Sequence, residues 1–245
     1  MKAYRAELHT HTVLSPCAGV EMIPPLIVRE ALHLGLNMLA VTDHNATANI
    51  AAVMEAARGT GLTVLPGMEL QTREEVHLLC LFDTLEQASA WQTRVDEVLP
   101  NIVNNTEFFG EQFVVDATGE FIRREERLLI NSANIGLEQA AEMVRSLGGL
   151  AIPAHVDRKA NGLLTLLGLV PAGFDALEIS RYIHPRVALE RYPQLQGHTL
   201  LQSGDVHLLD GFIGAVEFQM EEPSIAEMNR AIKGRDGRKV SITRG

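Results

Sequence analysis

The 245-residue sequence contains little cysteine and no long hydrophobic run. Its two cysteines, Cys17 and Cys80, are too few for the disulfide framework of a small secreted protein. No apolar stretch approaches the ~18 residues that a membrane-spanning helix requires, and the first residues lack the apolar segment of a signal peptide. These absences predict a cytoplasmic protein with reduced thiols and no membrane partner.

Basic residues are scarce as well, since 21 lysines and arginines stand against 31 acidic residues and give a formal net charge of -10. Extended binding to nucleic acid needs basic surface that neutralises phosphates, so the charge predicts that such binding is absent. A small anionic phosphoester remains acceptable as a substrate, because bound metal cations reverse the local field. The charge balance leaves the oligomeric state open.

Two common catalytic motifs are missing. The sequence has no G-x-S-x-G nucleophile elbow and no P-loop, so no protein nucleophile is assigned. It also has no internal repeat and no Ser/Gly linker. A single domain over residues 1–245 is therefore the simplest expectation.

The chain does contain a regular alternation of apolar runs and helical patterns. Continuous apolar runs bounded by turn residues indicate strands buried on both faces of a parallel sheet. These runs occupy residues 37–42, 62–66, 76–82, 149–153, 174–179, 199–202 and 212–218. The helical patterns occupy residues 24–35, 46–58, 84–99, 137–147 and 224–233. Together they predict an α/β fold with a parallel sheet, closed or open.

Residues 105–135 interrupt the alternation. Two β-rich runs flank Asp116-Ala-Thr-Gly119 there, and we interpret the segment as an inserted hairpin with a helix cap. Whether it forms a lid or a dimer contact stays open.

Residues of the types that bind metals follow six of the expected strands, nearly always at the C-terminal end, where α/β folds form their active sites. They are His9, His11, Asp43, His44, Glu69, His77, His155, Asp205 and His207. Each alone is explained by packing, a turn or a helix cap, but their shared placement favours a metal site. Imidazole and carboxylate ligands in this number suit two or three zinc, manganese or iron ions.

The spacing of these residues adds detail. Residues i and i+2 of an extended chain point to the same side, so His9 with His11, and Asp205 with His207, can each present two ligands to one point. Glu7 is on the same side as His9 by this rule. We expect its carboxylate to accept the proton of the free ring nitrogen of His9 and so orient the ring.

These motifs resemble those of the PHP family, the polymerase and histidinol phosphatase domains. The resemblance covers most of the chain, and the motifs occur in the family's order. They are ELHTHT, GLNMLAVTDHN, LPGMEL, IPAHVDR and SGDVH. The resemblance implies a distorted, TIM-like (β/α)7 barrel with a metal site at the C-terminal ends of the strands, and a metal-dependent phosphoesterase activity.

Position by position, the resemblance implies three metal sites with Glu69 as a bridging ligand. It assigns His9, His11 and Asp205 to the first site together with Glu69. It assigns His44 and His207 to the second, and Glu69, His77 and His155 to the third. Asp43 is expected to support the ligands without touching a metal.

The chain departs from the family pattern at two positions. Glu7 replaces the usual Asp, and Cys17 occupies a loop in which many members carry an Asp or His ligand. If Cys17 is a ligand, its thiolate favours zinc or iron over manganese. The alternative is that Cys17 only packs and that water completes the site. Cys80 lies in an apolar run and is expected in the core.

Arg158, Arg181 and His184 are the candidate substrate-binding residues, because guanidinium groups match phosphate oxygens in a bidentate manner. Surface ion pairs are the alternative for both arginines.

The resulting hypothesis is hydrolysis of a small phosphomonoester or a nucleotide-type phosphoester by metal-activated hydroxide. One alternative is an amidohydrolase-like enzyme, although lysine is absent between Lys2 and Lys159 and that chemistry needs a metal-bridging lysine. The other alternative is a regulatory or scaffold module that binds metal without turnover.

Overall fold

The computed structural model of the chain describes residues 1–243. Its strands are β1 (Lys2–Thr10), β2 (Met38–Val41), β3 (Thr63–Gln71), β4 (His77–Leu81), β5 (Phe113–Val115), β6 (Phe121–Arg124), β7 (Leu150–Pro153), β8 (Ala176–Ile179), β9 (Thr199–Gln202), β10 (Val216–Met220) and β11 (Lys239–Ile242). Its helices are α1 (Pro24–His33), α2 (Ile50–Ala56), α3 (Leu85–Val98), α4 (Thr106–Phe109), α5 (Leu137–Ser146), α6 (Leu163–Leu167), α7 (Pro185–Arg191) and α8 (Ile225–Ile232).

Seven strands form one curled sheet in the order β11-β10-β1-β2-β3-β4-β7. The prediction of a parallel sheet is right for β1, β2 and β3 and for the separate pair β8–β9. It is wrong for β4 and β10, which run antiparallel to their neighbours. The link from β3 to β4 is a tight turn, in which the N–H of Thr72 donates to the carbonyl of Val76 at 2.9 Å. So short a link can only reverse the chain, because a parallel neighbour needs a long crossover connection.

The β8–β9 pair continues the curl of the sheet. The N–H of Val156, just after β7, donates to the carbonyl of Glu178 in β8 at 2.8 Å, and β9 contacts β11. The architecture is therefore an α/β fold with the shape of a distorted barrel. It is not a regular repeat of strand and helix, because β3 and β4 follow each other without a helix and β10 is reversed.

Two apolar clusters cover the two faces of the sheet. One joins outward-facing strand residues such as Met68 and Cys80 to α1, α2, α3 and α5, and it includes the fully buried Trp91. The other joins Leu8, Leu79 and further strand residues to α8. Each such buried side chain contributes roughly 1.5–3 kcal/mol, and Cys80 lies in the core as expected.

The segment 105–135 contains α4 and the antiparallel pair β5–β6. Its turn is organised by Asp116, whose Oδ1 accepts from the N–H and hydroxyl of Thr118 at 2.8 and 2.7 Å and from the N–H of Glu120 at 3.0 Å. The side chain of Asn49 attaches β5 to the barrel by accepting from the N–H of Val115 at 3.0 Å.

Within residues 1–243, no helix has the length and apolar character needed to cross a membrane.

Candidate metal centre

The carboxylate of Glu69, near the end of β3, is the centre of the site. It is fully buried, and nitrogens of five histidines lie 2.7–3.3 Å from its oxygens. These histidines are His9, His11, His44, His77 and His155. They come from the ends of β1, β2 and β7 and from the start of β4. Because β4 is antiparallel, the start of that strand lies at the same edge as the ends of the others.

The loop after β9 completes the cluster. The Oδ1 of Asp205 lies 3.3 Å from Nε2 of His9 and 3.4 Å from Nε2 of His11. The ring of His207 stacks on the ring of His11 with centroids 4.2 Å apart. β1 holds this loop directly, since the N–H of His11 donates to the carbonyl of Val206 at 2.9 Å and the N–H of Val206 donates to the carbonyl of His9 at 3.0 Å.

Three overlapping groups of donor atoms could each hold a metal ion, with all donor atoms of a group within 4.8 Å of one another. They are His11 with His44 and His207, His9 with His11, Glu69 and Asp205, and His44 with Glu69 and His77. Glu69 belongs to two of these groups, which matches a bridging carboxylate. The structure brings His155 to Glu69 but not into any of the three groups.

The donor atoms fit a metal better than they fit one another. The buried atoms His9 Nε2, His11 Nε2, His44 Nδ1 and Glu69 Oε2 have no hydrogen-bond partner of good geometry among residues 1–243. Buried polar atoms normally have such partners. Lone pairs that converge at about 3 Å without hydrogen-bond geometry are the arrangement that a shared cation requires.

The cluster also perturbs the pKa values of its histidines. Burial lowers the pKa of His11 and His44, but the carboxylates of Glu69 and, for His11, Asp205 outweigh burial and raise both pKa values to about 9. The pKa of His9 is raised in the same way by Glu69, Glu178 and Asp205. Without a metal, protons on these rings balance the carboxylates.

Two other rings are held neutral. Burial lowers the pKa of His77 to about 4, and burial together with the neighbouring His11 lowers the pKa of His207 to about 3. The surrounding histidines hold the pKa values of Glu69 and Asp205 well below their usual range in spite of burial. Neutral imidazoles beside ionised carboxylates are the protonation states that metal ligation needs.

Asp43 supports His11 through a serine. Its Oδ1 accepts from the hydroxyl of Ser15 at 2.7 Å, and that hydroxyl lies 3.0 Å from Nδ1 of His11. Asp43 also accepts from the N–H and hydroxyl of Thr12, both at 2.7 Å. The chain of hydrogen bonds leaves Nε2 of His11 free to face the cluster, which is the supporting placement expected of Asp43.

Glu178 in β8 orients His9, and sequence reasoning missed it. Its Oε2 accepts from Nδ1 of His9 and from the N–H of His155, both at 3.0 Å. The expected partner of His9, Glu7, instead accepts from the N–H groups of Gly204, Ile213 and Gly214 at 2.7–3.0 Å. The only signal for Glu178 in the sequence is an acid inside an apolar run.

The expectation for Glu7 depended on regular alternation along β1. The pairing of β1 with β2 has a register irregularity between Glu7 and Thr10, so side chains before and after it do not follow one alternation. Glu7 is fully buried, and burial raises its pKa to about 7 even though three backbone N–H groups favour its charged form. It ties the loop that carries Asp205 to the loop before β10.

Cys17 lies at the edge of the cluster. Its side chain is exposed, and it is among the groups that raise the pKa of His44, after the larger effect of the Glu69 carboxylate. Its sulfur does not belong to any of the three groups of donor atoms.

A cleft of about 460 Å³ opens beside the cluster. Arg158, Arg181 and Asp205 are among its lining residues, and Arg158 forms an ion pair with Asp205. The structure does not bring His184 to this cleft. The His184 ring is exposed and caps α7, since its Nδ1 accepts from the N–H of Arg186 at 3.2 Å.

A model of the PHP domain matches residues 7–207. The chain belongs to the PHP domain family. The match extends from the residue that begins the first motif to the last histidine of the cluster, so it includes every donor atom described above.

Several of the proteins that this chain resembles are named as nucleases. The 5'-3' exoribonuclease Rnm of Salmonella typhimurium is 35% identical over 80 residues, which are 31% of this chain and 26% of that protein. Endonuclease Q from Pyrococcus furiosus has a TM-score of 0.73 at 21% identity, over 98% of this chain and 58% of its own. A complex of endonuclease Q with a 27-mer duplex containing an abasic lesion has a TM-score of 0.72 at 21% identity, over 97% and 58% of the two chains. This chain thus spans only part of each relative.

These comparisons overturn one expectation. The net charge of -10 predicted a small phosphoester as partner and no extended nucleic acid, and that prediction is wrong for this fold, which in endonuclease Q accommodates a 27-mer duplex. Net charge sums the whole surface, whereas binding depends on the field at the cleft. Two arginines line it beside Glu178, Asp205 and Asp210, and bound metal cations would add the positive charge that a phosphate chain needs.

Proposed function

We propose that this PHP domain is a metal-dependent hydrolase that cleaves phosphoester bonds at the ends of nucleic-acid strands. The observation that carries the proposal is the convergence of five histidines on the buried carboxylate of Glu69 beside an open cleft. Such a cluster serves hydrolysis without a protein nucleophile, and none is assigned here.

The residues proposed to hold two or three zinc, manganese or iron ions are those of the three donor groups, with His155 and Cys17 as further candidates. Histidine and carboxylate ligands suit these metals. When bound, the ions supply Lewis acidity and lower the pKa of coordinated water toward neutrality.

The chain's own residues have separate tasks in this proposal. Glu178 and the Asp43–Ser15 pair hold the rings of His9 and His11 in the orientation and tautomer that ligation needs. Arg158 and Arg181 bind the non-bridging oxygens of the phosphate and neutralise the charge that develops there.

The relatives guide the choice of substrate class. One is named as an exoribonuclease and another as a lesion-specific endonuclease, and both activities break phosphodiester bonds of nucleic acids. The amidohydrolase alternative has no support from the site, because residues between Lys2 and Lys159 contain no lysine to bridge two metals.

The experiment is a turnover assay with the metal-loaded protein. Short RNA and DNA strands with terminal phosphates are compared with 4-nitrophenyl phosphate and with an amide substrate. We expect release of mononucleotides that Glu69→Gln abolishes and Glu227→Gln preserves. Glu227 is a suitable control because it is a buried carboxylate of α8 that pairs with Arg230 and Arg238, away from the cleft.

Each other outcome would contradict the proposal. Turnover of the amide alone would identify an amidohydrolase. Full metal occupancy without turnover of any substrate would identify a metal-binding scaffold.

A further inference from the structure

Tyr182 is an exposed aromatic residue at the mouth of the cleft. Its exposed fraction is 85%, the highest among the large exposed hydrophobic side chains of residues 1–243. It lines the same cleft as Arg158, Arg181 and Asp205. The exposed ring presents an aromatic face to a ligand in the cleft, and its hydroxyl stays in water.

The loop that carries Tyr182 is held in place by hydrogen bonds on both sides. Asp157 accepts from the N–H and the hydroxyl of Ser180, both at 2.6 Å. The side chain of Gln202 donates to the carbonyls of Ser180 and Ile183 at 2.7 and 2.8 Å. The backbone is thus fixed immediately before and after the pair Arg181-Tyr182, so a ligand that uses these side chains need not order the loop.

Arg181 lies beside Tyr182, and a hydrogen bond holds its guanidinium in place. Its guanidinium donates to the carbonyl of Gly211 at 2.8 Å, across the cleft loop. The same guanidinium lies 6.0 Å from the centroid of the Tyr182 ring, within the range of a cation–π contact. An arginine that can bind phosphate and an aromatic ring that can stack on a base therefore lie side by side.

We infer that Tyr182 stacks on the base of the terminal nucleotide while Arg181 binds the adjacent phosphate, which makes this site select nucleic-acid ends over other phosphoesters. The inference rests on the function proposed above, and it identifies Tyr182 as the residue that recognises the nucleotide base of the substrate. Stacking on an aromatic ring tolerates any base, so the selection is for a nucleotide and not for a sequence.

The first test measures stacking directly. A short single strand with 2-aminopurine as its terminal base is mixed with the metal-loaded protein, and fluorescence is recorded before turnover. We expect quenching with the wild type and with Tyr182→Phe, and its loss with Tyr182→Ala, together with a roughly 5- to 150-fold weaker affinity, the range for loss of one stacked base. Phe108→Ala is the matched control, because Phe108 is 77% exposed but lies outside the cleft.

The second test changes the substrate instead of the protein, by removing the base of its terminal nucleotide. A strand whose terminal nucleotide lacks a base should be hydrolysed by the wild type about as poorly as the intact strand is by Tyr182→Ala, and combining both changes should add little. Phe108→Ala, which lies outside the cleft, should hydrolyse both strands as the wild type does.

The outcomes separate this inference from the proposed function. Two results would overturn the role of Tyr182 even if the enzyme is a nuclease. One is equal quenching by the wild type and Tyr182→Ala, and the other is an equal loss of hydrolysis rate for the intact and the abasic strand when Tyr182 is replaced by alanine. Absence of all turnover with quenching that depends on Tyr182 would support the stacking role and refute the hydrolytic function.

Discussion

Replacement of Glu69 by glutamine tests the centre of the site most directly. The substitution keeps the shape of the side chain and removes the negative charge that five imidazoles share. In the metal-free protein, the protonated rings of His11 and His44 would remain buried without their main counter-charge. Removing one partner of a buried charged pair costs about 3–5 kcal/mol of unfolding free energy.

The dependence of this cost on pH is the decisive part of the prediction. His11 and His44 have folded pKa values of about 9 against a usual value of 6.5. Groups with raised pKa values add stability that is fully present below about pH 6.5 and is lost as pH rises through about 9. The difference between wild type and Glu69→Gln should therefore be about 3–5 kcal/mol at pH 6 and small at pH 9.5.

Urea denaturation in the presence of a chelator at these two pH values measures the difference. An equal difference at pH 6 and pH 9.5 would refute the coupling between Glu69 and the histidine protons. Elemental analysis supplies a second readout, because Glu69 belongs to two of the three donor groups. Glu69→Gln should lose more than one ion and Glu227→Gln none, and loss of a single ion would exclude the bridging role.

Three further predictions concern the residues around Glu69. Glu178→Gln should weaken metal binding roughly 10- to 100-fold while the fold persists, as seen for ligand-orienting carboxylates; equilibrium dialysis measures this, and unchanged affinity would contradict the role given to Glu178. Zinc binding at pH 7 should release protons, because the raised pKa values of His11 and His44 keep these rings charged in the metal-free protein; calorimetry in two buffers of different ionisation enthalpy counts them, and identical heats would argue against proton displacement. Cys17→Ser should reduce occupancy only of the group formed by His11, His44 and His207, since Cys17 influences the pKa of His44. Full metal content by elemental analysis would show that Cys17 is not a metal ligand.

Much of the site could be predicted from local sequence pattern. Strands and helices were located by apolar periodicity and turn residues, and most observed elements lie within the predicted ranges, such as α5 (Leu137–Ser146) within 137–147. Placement of histidines and acids at strand ends follows directly once the strands are known. The pattern therefore predicts a shared metal site, whereas the bridging place of Glu69 is implied only by the resemblance to the PHP family.

Other features depend on contacts between distant parts of the chain. Glu178 is 169 residues from His9. The residues around Glu178 in the sequence do not distinguish its carboxylate from one that faces solvent. The reversal of β4, which brings His77 to the cluster, depends on strand pairing. Likewise the charge that a substrate meets is set by which acidic and basic side chains line the cleft and not by overall composition.

The sequence by itself thus determined most of the strand and helix pattern. It also determined the types of the candidate metal ligands and their order along the chain, because these depend on periodicity and on chemistry within a few residues. Only the tertiary structure decided which carboxylate orients His9, why Glu7 does not, and that Tyr182 stands beside Arg181 at the cleft. Hydrogen bonds and burial between residues far apart in sequence arise only when the sheet closes, so no local pattern encodes them.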